Sequence, residues 1–138
     1  MKTRPLTLLV LLLVAAMPLS AQRSAESERI CYALDSHDSQ RECLSSRAAQ
    51  SETRLEAEEA FARSALLHAD EDEADRARAV QALDKSAGEY RRYRKEQCEF
   101  VASLAFGGNA QEDRRLLCEI ELNESRIRQL QAEVKHAV

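Results

Sequence analysis

Tryptophan is absent from this chain, and all aromatic residues together make up only 4% of it. Such a domain cannot rest on a large aromatic core. Proline is nearly as scarce, and both copies, Pro5 and Pro18, lie close to the N-terminus. Nothing after Pro18 must interrupt a long helix, and no later X-Pro bond can slow folding. A basic excess is missing too. Twenty Lys+Arg stand against 24 Asp+Glu, a formal net charge of −4, which argues against a nucleic-acid binder. At 138 residues the chain is one domain's worth, too short for a Rossmann or barrel enzyme.

What is present begins with an export pattern. Lys2 and Arg4 precede the apolar run Leu6 to Met17. That run, roughly a dozen residues, suits a secretory signal and is short for a membrane span. Pro18-Leu19-Ser20-Ala21 supplies a cleavage region, with small Ala21 in the last position. Residues 1–21 therefore read as a cleaved signal peptide and 22–138 as a single helical domain. A retained N-terminal anchor helix is the alternative. No cysteine follows the apolar run directly, so a lipoprotein box is missing. The expected product is periplasmic or secreted, without a stable membrane anchor. Loss of Lys2 and Arg4 moves the formal charge from −4 to −6. The remainder, rich in Arg, Glu, Ala and Leu, has the composition of a helical bundle.

Export gives meaning to Cys31, Cys43, Cys98 and Cys118. An even number of cysteines in an oxidising compartment implies two disulfides. A zinc site is a poor alternative, because there is no C-x-x-C pair and no neighbouring pair of histidines. No metal or other cofactor is expected.

Apolar periodicity predicts three helices. The first runs from about Ser39 to Leu67, with an inward stripe of Cys43/Leu44, Ala48, Leu55, Ala62 and Leu66. The second runs from about Glu73 to Ala105, with Ala77, Val80, Leu83, Ala87, Tyr90, Arg94, Cys98, Val101 and Ala105 inward. The third runs from about Ala110 to Val134, with Leu116/Leu117, Ile120, Asn123, Ile127, Leu130 and Val134 inward. Gly88, in mid-helix, reads as a close-packing point. Phe106-Gly107-Gly108-Asn109 is the clear stop, with glycines able to take positive φ and Asn109 able to cap the third helix. The fold class is thus all-α, an up-down-up three-helix bundle of long antiparallel helices stapled near one end. The Gly107-Gly108 turn lies midway between Cys98 and Cys118, which sets them level in one hairpin. Cys43 falls at the same end, with Cys31 on an arm folding back to it. The favoured pairing is Cys98–Cys118 with Cys31–Cys43. Pairings of Cys43 with the second or third helix stay open, because all four cysteines cluster together.

Other chemistry is sparse. His37, His68 and His136 are scattered and read as solvated. No Ser-His-Asp or Cys-His arrangement supports a nucleophile, so no enzyme is expected. Asp70 to Asp75 fails as an EF-hand loop, since Asp75 stands where glycine is required, and reads as a solvated acidic turn capping the second helix. Arg91, Arg92 and Lys95 read as helix-surface charges paired with nearby Glu. Arg94 falls on the inward stripe and needs a partner or a path to water. Arg126 lies one step off the stripe. Each is either a structural ion-pair member or part of a binding face.

These residues carry a resemblance. Tyr90-x-x-Tyr93-Arg94-x-x-x-Cys98 resembles the W-x-x-Y-R-x-x-x-C segment of the LprI-like lysozyme-inhibitor N-terminal domain family. Gly108 and then Cys118-x-x-x-Leu122-Asn123-x-x-Arg126-x-x-x-Leu130 resemble its G … C-x-x-x-L-T-x-x-R-x-x-x-L close. Cys31 and Cys43 resemble its N-terminal cysteine pair. Tyr90 stands where the family has Trp, and Asn123 where it has Thr. The resemblance implies a small, exported, cystine-containing helical protein without catalytic residues, binding and inhibiting a lysozyme. Animal-type lysozymes are cationic and cut glycans with paired carboxylates in a groove. An acidic inhibitor would be steered to such a partner, a loop such as Phe106 to Asn109 could enter the groove, and an adjacent Arg could pair with a carboxylate there. Tyr90, Tyr93, Arg94, Gly107, Gly108, Asn109 and Arg126 are the candidate partner-contacting residues. The rival reading is a structural or stress-related cell-envelope module with another partner, which an exposed apolar patch around Phe61, Leu66 and Leu67 would favour. Monomer or dimer is left open.

Overall fold

Freedom from proline after Pro18 shows directly in the helix lengths. The computed structural model describes the backbone of residues 19–137 and the side chains of residues 24–135. The apolar run Leu6–Met17 and the side chain of His136 lie outside the described residues. The elements are α1 (Leu19–Tyr32), α2 (His37–Leu67), α3 (Glu73–Ser103) and α4 (Asn109–Ala137). Among the described residues no helix is long and apolar enough to cross a membrane.

Among the described residues four helices replace the three expected. The addition, α1, has no apolar stripe of its own. It buries Ser27 and Cys31, and the Cys31–Cys43 disulfide clamps it to α2. Tertiary packing rather than sequence periodicity holds it, which is why periodicity misses it. The Ser36 side chain caps α2, accepting from the Ser39 amide at 3.2 Å. Glu73 and Asp75 in the first turn of α3 suit its dipole.

Packing centres on α2 and α4. Asn123 reaches Ser51 and Gln131 reaches Glu58, so these two helices run parallel. The intervening α3 is antiparallel to both, with Arg91 beside Glu59 and Cys98 bonded to Cys118. α1 packs on α2 and α4. The core is layered. Cys31, Leu44, Ala48, Leu116 and Ile120 form one apolar cluster at the disulfide end. Leu55, Ile127 and Leu130, backed by Leu83 and Tyr90, form a second. A polar layer lies between them.

Three expectations of detail fail. Gly88 is exposed, and a Cβ built there meets nothing within 4 Å, so it is no close-packing point. Ala77 is exposed because the inward stripe of α3 begins closer to Val80. His37 is not simply solvated. As the first residue of α2 it is half-buried, with Nε2 3.4 Å from Asp113 Oδ2 on α4.

Candidate interaction site

The polar layer is where the motif residues meet. Asn123 is 1% exposed and uses its whole amide. Its nitrogen donates to Ser51 Oγ at 2.9 Å and to Glu52 at 3.3 Å. Its oxygen accepts from Arg94 and, at 3.4 Å, from the Tyr90 hydroxyl. Arg94 also pairs with Glu52, and Ser51 Oγ donates back to the Ala48 carbonyl at 2.7 Å. A buried side-chain amide is tolerable in a core only when satisfied in this way. Around the layer, Arg91 pairs with Glu59 at 2.7 Å, Arg54 pairs with Glu124, and Arg126 donates to Ser86 at 2.7 Å.

Two guanidinium groups approach the Tyr90 ring, Arg94 6.0 Å and Arg126 5.6 Å from its centre. Cation–π attraction from two helices thus bears on one ring. Burial pushes the phenol above its ordinary pKa of 10.0, against the pull of Arg94. The folded protein therefore ionises Tyr90 later than the unfolded chain does. The associated stability is whole below pH 10.0 and is lost as pH rises beyond it. Tyr90→Phe is expected to be nearly neutral at pH 7 and to flatten the alkaline loss, measured by urea melts at pH 7 and above pH 10. Tyr32, also raised by burial, retains part of the slope. An unchanged alkaline limb would contradict this.

The loop between α3 and α4 is a separate feature. The Phe106 amide donates to the Ser103 carbonyl at 3.0 Å as α3 ends. Phe106, Gly107 and Gly108 then take φ of 52°, 97° and 78°. Left-handed backbone suits glycine, whereas Phe106 adopts it at a cost of about 1–2 kcal/mol. Its ring is 94% exposed, so burial returns none of that cost. Asn109 begins α4, and its side chain accepts from Arg41 at 3.5 Å in place of the expected cap. The Cys98–Cys118 disulfide, with Cα atoms 5.5 Å apart, holds both helices behind the loop.

The seven candidate residues thus divide. Tyr90, Arg94 and Arg126 come together inside the bundle. Gly107, Gly108 and Asn109 form the loop, and Tyr93 faces outward at 54% exposure. Arg94 to Phe106 is about 18 Å along the helix axis, so they are not one surface. Arg91 reaches across to α2 rather than pairing along its own helix, while Arg92 does pair with Glu89. Ser51, Glu52, Glu59, Asp113 and Glu124 are participants that sequence reasoning missed.

Residues 31–130 match the family described as Lysozyme inhibitor LprI. The chain belongs to that family. No curated protein and no solved structure matches it. Within the LprI segment, all four cysteines are disulfide-bonded as Cys31–Cys43 and Cys98–Cys118. The motif residues near them build the polar layer: the aromatic at 90 has two guanidinium groups close to its ring, Arg94 binds across to α2, and the small polar residue at 123 joins all three long helices.

Proposed function

We propose that this chain is an exported, non-enzymatic inhibitor of a cationic lysozyme, and that the Phe106–Asn109 loop enters the glycan-cutting groove. The observation that carries the reading is Phe106, a fully presented aromatic on left-handed backbone at the tip of a stapled hairpin. Strain kept without a packing return is characteristic of functional positions, and aromatic anchors dominate interface energetics. Family membership supplies the target class, and the acidic excess supplies steering. Gly107, Gly108 and Asn109 shape the loop, and Tyr93 extends the contact face. Tyr90, Arg94 and Arg126 act at one remove, fixing α3 and α4 in register so that the loop joining them is held out.

The test uses a variant with opposite effects on fold and function. Phe106→Gly relieves the positive φ and is expected to raise stability by up to about 1 kcal/mol. It should weaken inhibition of cell-wall lysis at least tenfold, about 1.4 kcal/mol of binding. Full inhibition by the variant would contradict the loop's role.

A second reading, an envelope module with another partner, draws on one observation. Phe61 and Leu67 are exposed at the end of the bundle far from the disulfides. It requires no lysozyme complex.

A further inference from the structure

None of the three phenylalanines enters the core. Phe61, Phe100 and Phe106 are 62%, 57% and 94% exposed. In a chain with so few aromatics, that distribution needs a reason. One of them, Phe100, belongs to a continuous strip, and Phe106 follows just beyond its end. On α3, Tyr93, Gln97, Phe100 and Leu104 recur at steps of four, three and four, which puts them on one helix face. Tyr93, Phe100 and Leu104 are all exposed, while the residues α3 buries, Ala87, Cys98 and Ala102, are small and lie on another face. The strip spans about 17 Å of helix and runs into the loop that carries Phe106.

We infer that this face of α3, from Tyr93 through Phe100 and Leu104, carries most of the affinity of the interface, and that its occupant is an apolar patch on the cationic lysozyme of the reading above, on which this inference rests. Three features support that occupant. The strip ends two residues before exposed Phe106, so one partner can cover both. Its aromatic content is that of interface anchors rather than of solvent-facing helix surface. Its charged border is acidic on balance: Glu28 and Glu121 line a groove with Tyr93 and Gln97, opposed there by Arg114, and Glu96, between Tyr93 and Phe100, forms no ion pair among the described residues. An acidic border around an apolar strip suits a basic rim and resists an acidic one, including a second copy of this chain.

The division of labour is then physical. The strip supplies buried area on a rigid helix, and the loop supplies obstruction of the groove. The strip is tested with Phe100→Ser combined with Leu104→Ser in the oxidised protein, by calorimetric titration into a cationic c-type lysozyme beside the wild type. Both side chains are exposed, so the circular dichroism and melting temperature should match the wild type. Affinity should fall at least tenfold. Wild-type binding with an equally tight double variant would overturn the strip while leaving the loop reading standing. No wild-type binding would overturn both.

Discussion

Removing the Cys98–Cys118 bridge with Cys98→Ser and Cys118→Ser together is expected to lower stability by about 3 kcal/mol. The two residues are 20 apart in sequence, and closing a loop of that length removes roughly this much unfolded-state entropy. For a domain of this size the melting temperature should drop on the order of 10–15 °C. The position of the bridge decides the functional consequence. It ties α3 to α4 directly behind the left-handed loop, so the loop loses its fixed base even where helices persist. Inhibition should therefore fall further than the folded fraction does. The Cys31–Cys43 bridge offers a contrast. Its loss frees α1, whose burial rests on little beyond Ser27 and Cys31, and should leave α2, α3 and α4 assembled. Thermal melts and lysis assays on both double variants separate the two roles. Equal damage to inhibition at equal folded fraction would contradict the assignment.

Arg94→Met should destabilise by about 2 kcal/mol. The change strips a charged partner from Glu52 and from the Asn123 oxygen, both at the polar layer. The remaining ion pair of Glu52, with Arg91 at 3.7 Å, moderates the loss and keeps it below that of a fully orphaned buried charge. Arg94→Lys is expected to recover about half, because Arg94 reaches both acceptors from the single Nη1 and an ammonium can donate twice from one nitrogen, although its shorter stem reaches less far. Denaturant melts give both numbers. The same variants discriminate a packing residue from a contact residue. At a temperature where Arg94→Met stays folded, it should inhibit lysozyme as the wild type does. A folded Arg94→Met that has lost inhibition would place the residue in the interface.

Much of this was legible in residue order. Apolar steps of three and four located α2, α3 and α4 within about two residues at nearly every end, the usual uncertainty of helix ends. The Gly107-Gly108 turn set Cys98 and Cys118 level, and the structure joins them. Arg94 and Asn123 stood on inward stripes, which already demanded partners. Their partners were harder to see. Ser51, Glu52 and Glu59 lie on the α2 stripe by spacing, but a reading that counts only apolar residues passes over them. Asp113 is likewise one step before Leu116 and Leu117. Their pairing depends on how parallel α2 and α4 fall beside each other, which no single helix encodes. α1 carries no periodic signal because a disulfide and one flank of the α2–α4 pair hold it. The strip on α3 was hidden for the opposite reason. Tyr93, Phe100 and Leu104 have helical spacing, yet the neighbouring stripe through Tyr90, Arg94 and Cys98 accounts for the core, and only packing shows which of the two faces is uncovered.

The most direct test of lysozyme inhibition by this chain is a titration of the oxidised protein, beginning at Gln22, against a cationic c-type lysozyme, with calorimetry and cell-wall lysis followed on the same samples. The account predicts a 1:1 complex of micromolar or tighter affinity, loss of lysis in step with complex formation, and weaker binding when salt is raised to about 0.3 M, where exposed charges are screened. Absence of binding at low salt, with the protein folded and both disulfides intact, would contradict it.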